Sequence, residues 1–170
     1  MATIARDRAR LVGFSNTLDA VLQTIDQSGA TFEFRDLVTR ASTSGIDKAT
    51  GGASDTNLAM AADPDVSQDP YYEPIPSGST SYGDASGVAQ VFLLDGQEVE
   101  MSTSGSVAES DMGNIYALAY DSSAGVPVVD LSASSTSGFK ILRLADEVFG
   151  GTYGDTDARV IGRFTSDVLL

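Results

Sequence analysis

The chain predicts a mainly β fold, a small antiparallel β-barrel or β-sandwich with an N-terminal arm and one short amphipathic helix. Three observations lead there. Short apolar or alternating runs divided by Gly, Ser and Asp fill residues 111–164, the appearance of consecutive strands that each bury one face and return through turn chemistry. Asp95-Gly96 separates two such runs, and an Asp-Gly pair is a strong hairpin signature because glycine accepts the positive φ of a type I′ turn. The apolar fraction is 42% and the charged fraction 20%, slightly below globular norms, with Ser, Thr, Gly and Ala making up the difference, which suits a loop-rich β protein. Three segments are expected: an extended arm over 1–14, a helix plus a Ser/Gly/Asp-rich segment over 15–69, and a β domain over 70–170.

In the arm, Arg6, Arg8 and Arg10 recur at every second position with only Asp7 opposing them. Extended backbone would point the three guanidiniums the same way. Such an arm either lies across a partner or stays a frayed end. From Asn16 to Gln27 the period changes: Leu18, Val21, Leu22 and Ile25 fall at i, i+3, i+4 and i+7, one helical face. Ser15 or Asn16 is placed to cap it and Gly29 to end it. That face packs on the β domain or docks on a partner. Residues 30–41 fit both patterns and are read as a strand ending near Val38. Residues 41–69 turn to Ser, Thr, Gly, Asp and Ala with no aromatic residue, and are expected to be a long loop or a linker.

Asp69-Pro70-Tyr71-Tyr72-Glu73-Pro74-Ile75-Pro76 is extended by its prolines and carries two amphipathic rings. Tyr71 and Tyr72 either form a contact surface or cover an open edge. Gly87 to Leu94 reads as a largely buried strand. Asp95-Gly96 then turns the chain into Gln97 to Met101, with Val99 and Met101 inward and Glu98 and Glu100 outward. After a Ser/Thr/Gly loop come a run to Tyr120, a turn at Asp121-Ser122-Ser123, a short apolar run, a strand from Gly138 to Leu144, and a last one from Val160 to Phe164.

The net charge of −14 is unevenly placed. Residues 1–48 hold six basic and six acidic side chains, and residues 140–170 hold four and five; residues 49–139 hold thirteen acids and no Lys or Arg. An acidic body of this kind is a solvated surface that disfavours contact with nucleic acid, and docking on another anionic body would have to use the two ends. No apolar run approaches the roughly 20 residues of a membrane span, and no apolar h-region follows the N-terminal arginines. The expectation is a soluble chain with neither a nucleic-acid nor a membrane partner.

The absence of cysteine and histidine removes disulfides, thiolate and imidazole metal ligands, and the commonest general base. Asp63, Asp65, Asp69 and Glu73 resemble a calcium loop in charge but lack its central glycine, and Asp155-Thr156-Asp157 is a second oxygen cluster. Ser137-Gly138-Phe139-Lys140 matches Ser-x-x-Lys without its companion motifs. No phosphate-cradling or nucleophile-elbow glycine motif occurs. Neither enzyme activity nor a cofactor, a catalytic residue or a metal ligand is expected.

Several stretches resemble the head decoration, or capsid cement, proteins of tailed bacteriophages. They are Glu109-Ser110-Asp111-Met112-Gly113, then Ile115-Tyr116-Ala117-Leu118 with a polar turn at Asp121, then Val126-Pro127-Val128-Val129-Asp130, the Gly138–Leu144 strand, and Asp155 to Phe164. The resemblance covers about residues 83–166. It implies a compact β-barrel or β-sandwich on the outer surface of an icosahedral head, commonly a homotrimer, with a dimer as the other possibility, that holds neighbouring major capsid proteins together. Partner contacts would come from the arm, through Ile4, Arg6, Arg8, Arg10 and Leu11, and from the helix face of Leu18, Val21, Leu22 and Ile25, with Tyr71 and Tyr72 as a further strip. The alternative is a glycan- or receptor-binding β module of a virion or extracellular surface, with Tyr71, Tyr72, Tyr82, Tyr116, Tyr120 and Tyr153 as stacking faces.

Overall fold

The computed structural model describes residues 9–12, 22–26, 32–33, 36–40, 46–51, 57–61, 81–82, 88–145 and 151–169. Their strands are β1 (Arg10–Leu11), β2 (Leu22–Asp26), β3 (Phe32–Glu33), β4 (Leu37–Arg40), β5 (Ile46–Lys48), β6 (Leu58–Ala61), β7 (Ser81–Tyr82), β8 (Val88–Leu93), β9 (Val99–Ser102), β10 (Ile115–Asp121), β11 (Val126–Ser134), β12 (Phe139–Leu144) and β13 (Arg159–Phe164). A six-stranded antiparallel sheet runs β1-β9-β13-β12-β10-β11, a five-stranded one runs β2-β8-β6-β4-β5, and β3 pairs β7. The mainly β, antiparallel expectation holds. Among the described residues no ladder closes into a barrel, although a parallel bridge from Thr103 to Val129 brings β11 back toward the end of β9.

Both large sheets bury side chains in one core. Leu37, Leu58, Met60 and Leu94 from the five-stranded side join Val99, Met101, Phe139, Ile141, Val160 and Phe164 from the other. The rings of Phe139 and Phe164 meet edge to face, 5.1 Å apart at 74°, the arrangement the ring quadrupoles favour. Gly162 makes room for it. A Cβ there would lie 2.5 Å from Phe139 Cε1 and 2.2 Å from the Lys140 carbonyl oxygen. Gly162→Ala is therefore expected to cost about 1–3 kcal/mol through overpacking, read as a lower urea midpoint; an unchanged midpoint would show that the strand yields.

Several expectations need correction. The helix over Asn16–Gln27 is a strand where it is described. Leu22–Asp26 pairs β8, with Leu22 opposite Phe92 and Ile25 opposite Ala89; the rest of that stretch, Leu18 and Val21 included, lies outside the described residues. An apolar neighbouring strand offers Leu-Gln-Thr-Ile-Asp a ladder that outweighs weak helix propensity, and Thr24 and Ile25 are β-branched. A strand puts positions three apart on opposite faces.

Residues 41–69 are not solely loop or linker. They contain β5 and β6, and Leu58, Ala59, Met60 and Ala61 are all buried at the centre of the five-stranded sheet. Two alanines let this strand bury both faces without bulk, which hides it from a search for large apolar residues.

Asp95-Gly96 is a turn, with Gly96 at φ +69° and the Gln97 amide donating to the Leu94 carbonyl at 3.0 Å, but it joins no hairpin. β8 pairs β2 and β6, and β9 pairs β1 and β13. The turn is a corner from one sheet to the other. The inward Val99 and Met101 expected for β9 are buried as anticipated, at 0% and 1% exposure.

Finally, the arm over 1–14 is not wholly separate from the sheet. Arg10 and Leu11 pair Glu100 and Val99, and Leu11 packs against the core. Because β8 sits between β2 and β6, the division at residues 69 and 70 runs through a sheet. The strand expected to end near Val38 ends at Arg40.

Candidate interaction surface

Alternation decides what the outer face of the six-stranded sheet carries. On β9, Val99 and Met101 go to the core, so Glu98 and Glu100 face away. On β13, Val160 and Phe164 go in, so Arg159, Ile161 and Arg163 face away. On β12, Phe139 and Ile141 are buried and Lys140 is exposed. Register then aligns these charges, with Arg10 opposite Glu100 and Arg163 opposite Lys140.

At one end of this face Arg159 is buried, 2% exposed. Its Nε donates to Glu100 and its Nη1 donates to Ser102 Oγ at 2.9 Å. At the other end Glu98 accepts from Arg143 Nη2 at 2.7 Å and from Arg163 Nη2 at 3.3 Å. The Arg143 hydrogen bond above all, then the charge of Arg143 and the second arginine, holds the Glu98 carboxyl below its usual range. In the other sheet, Lys48 Nζ lies 3.0 Å from Asp36 Oδ2, whose side chain is fully buried.

The acidic body is built from loops whose carboxylates tie down backbone amides. Asp121 Oδ1 accepts from the Ser123 amide at 2.8 Å and fixes the expected turn. Asp130 Oδ1 accepts from the Ser132 hydroxyl at 2.7 Å, the Ser132 amide at 3.0 Å and the Ser104 hydroxyl at 3.2 Å. The Ser132 hydroxyl is the main reason its pKa is lowered. Both Glu98 and Asp130 are depressed, so their stabilisation is present in full above the unfolded-state value, about 4, and disappears as pH falls through the lower folded-state value. Acid unfolding of the native chain is expected to set in below that pH. Glu98→Gln and Asp130→Asn should flatten the dependence; a variant that keeps the full acid dependence would contradict these assignments.

Of the expected contact residues, Arg10 and Leu11 lie on β1 at the edge of this face, while Leu22 and Ile25 lie on β2 at the edge of the other sheet. The structure thus assigns the two groups to different sheets. Ile4, Arg6, Arg8, Leu18, Val21, Tyr71 and Tyr72 lie outside the described residues, as do Asp63, Asp65, Asp69 and Glu73. Among the tyrosines, Tyr116 is a core residue. It is 6% exposed and its hydroxyl donates to Asp111 Oδ1 at 2.7 Å; burial first, then that carboxylate, pushes its pKa up. It offers no stacking face, which corrects that reading. Tyr120 and Tyr153 are exposed, and Tyr82 pairs Phe32 in the small sheet.

Asp155 Oδ2 accepts from the Thr152 amide and hydroxyl, both at 3.0 Å, and Asp157 holds a left-handed φ of +61°. No group of three or more acidic, His or Cys side chains able to hold a metal ion occurs among the described residues. No described helix is long and apolar enough to cross a membrane.

Sequence reasoning left out Lys140, Arg143 and Arg163 as surface residues. The signal was present in the confinement of cations to the two ends of the chain, but their convergence needs the β1-β9-β13-β12 order. No protein-family model matches the chain, and no curated protein is significantly similar to it.

Proposed function

We propose that this chain is a non-enzymatic structural virion protein that binds the outside of an icosahedral phage capsid and stabilises contacts between major capsid proteins. Its partners on this reading are the major capsid protein and further copies of itself, as a homotrimer or dimer. The observation that carries it is the anchoring of the arm: Arg10 and Leu11 are held in the six-stranded sheet against Glu100 and Val99. That pairing ties part of the expected arm, 1–14, to the sheet. Two further features support it. The resembling stretches from Ile115 onward lie in or beside β10 to β13, which are contiguous in one sheet, and the charged residues of the middle of the chain, 49–139, are all acidic, which favours solubility.

Removing residues 1–8 while keeping β1 tests this. Binding to decoration-free heads should fall at least about tenfold, a change of about 1.4 kcal/mol, with the thermal midpoint unchanged. Undiminished binding would remove the arm from the interface. A glycan- or receptor-binding module, the alternative, retains Tyr120 and Tyr153 as its exposed described rings.

A further inference from the structure

We propose that the exposed cationic end of the six-stranded sheet, Lys140, Arg143 and Arg163 around Leu142, docks on the acidic surface of a second copy of this chain. The patch is made by a bulge. Between Ile141 and Arg143 the partners on β13 step from Gly162 to Ile161, so Leu142 has no opposite number. A bulge re-aims side chains: Leu142 and Arg143 are both exposed, and Leu142, 37% exposed, follows Lys140 by two residues and directly precedes Arg143. Arg143 and Arg163 share the single carboxylate of Glu98 and Lys140 lies opposite Arg163 in the ladder, so these four side chains carry two positive charges in excess.

A patch of this sign calls for an anionic partner, and the same chain supplies one. Residues 49–139 hold thirteen acids and no cation, and two of those acids, Asp95 and Glu109, are exposed on the loops that flank β9. Charge complementarity steers such an encounter and fixes its register, and salt weakens it. The proposal specifies the self-association in the function proposed above, and its test contains no capsid, so the failure of either leaves the other standing.

The test is sedimentation equilibrium of the full chain at about 0.05 M and about 0.5 M salt. Two variants are compared with it: Lys140→Glu combined with Leu142→Ser, which spares both arginines on Glu98, and Lys140→Ala alone. The native chain is expected to assemble at low salt and to dissociate at high salt, with the double variant at least about tenfold weaker and Lys140→Ala intermediate. A native chain that is monomeric at low salt would overturn the proposal, as would an oligomer indifferent to salt and to both variants.

Discussion

Phe139→Ala is expected to cost about 3–5 kcal/mol of folding free energy and to lower the thermal midpoint by roughly 6–20 °C for a domain of this size. Phe139 is fully buried, meets Phe164 edge to face, and belongs to the cluster that also contains Leu37, Leu58 and Met60. Truncation leaves a ring-sized cavity that Gly162, pinned against the Lys140 carbonyl, is poorly placed to fill. Because the two sheets share this core, the loss should appear in one cooperative transition. Differential scanning calorimetry checks it. Two separate transitions, with only one displaced, would mean that the sheets are independent.

The second large effect is electrostatic. Glu100→Ala removes the carboxylate that accepts from Nε of the buried Arg159 and keeps the bond to the Ser102 hydroxyl. Breaking a buried pair from one side costs about 3–5 kcal/mol, because the remaining charge stays desolvated. Replacing both partners by methionine should recover most of that loss, since the cost of desolvating the charges is removed as well. Glu98→Ala provides the contrast. Its arginines are half exposed, and exposed pairs contribute only about 0–1 kcal/mol each. Urea denaturation of the four proteins distinguishes the cases; equal losses at Glu98 and Glu100 would contradict the buried assignment of Arg159.

The second half of the fold was legible because its rules are local. The turn at Asp121, alternation in β9, and apolar runs in β12 and β13 each need only neighbours in sequence. The first half was not. Leu22–Asp26 presents a helical spacing that its pairing with β8 overrides, and Leu58–Ala61 achieves complete burial with alanines, residues that betray little by size. Asp95-Gly96 was recognised as a turn, yet nothing local could reveal that its two strands enter different sheets. The same limit applied to the surface. Cations were visibly confined to the chain ends, but only the placement of β1 and β13 on either side of β9 brings those ends together, and only the bulge at Leu142 exposes an apolar side chain among them.

Binding to heads is the most direct test of the proposed function. The full-length chain, mixed with decoration-free capsids over a range of ratios, should co-sediment and saturate at a fixed number of copies per head, and the saturated heads should resist heating better than bare ones. A folded chain that stays in the supernatant at every ratio would contradict a role in capsid reinforcement.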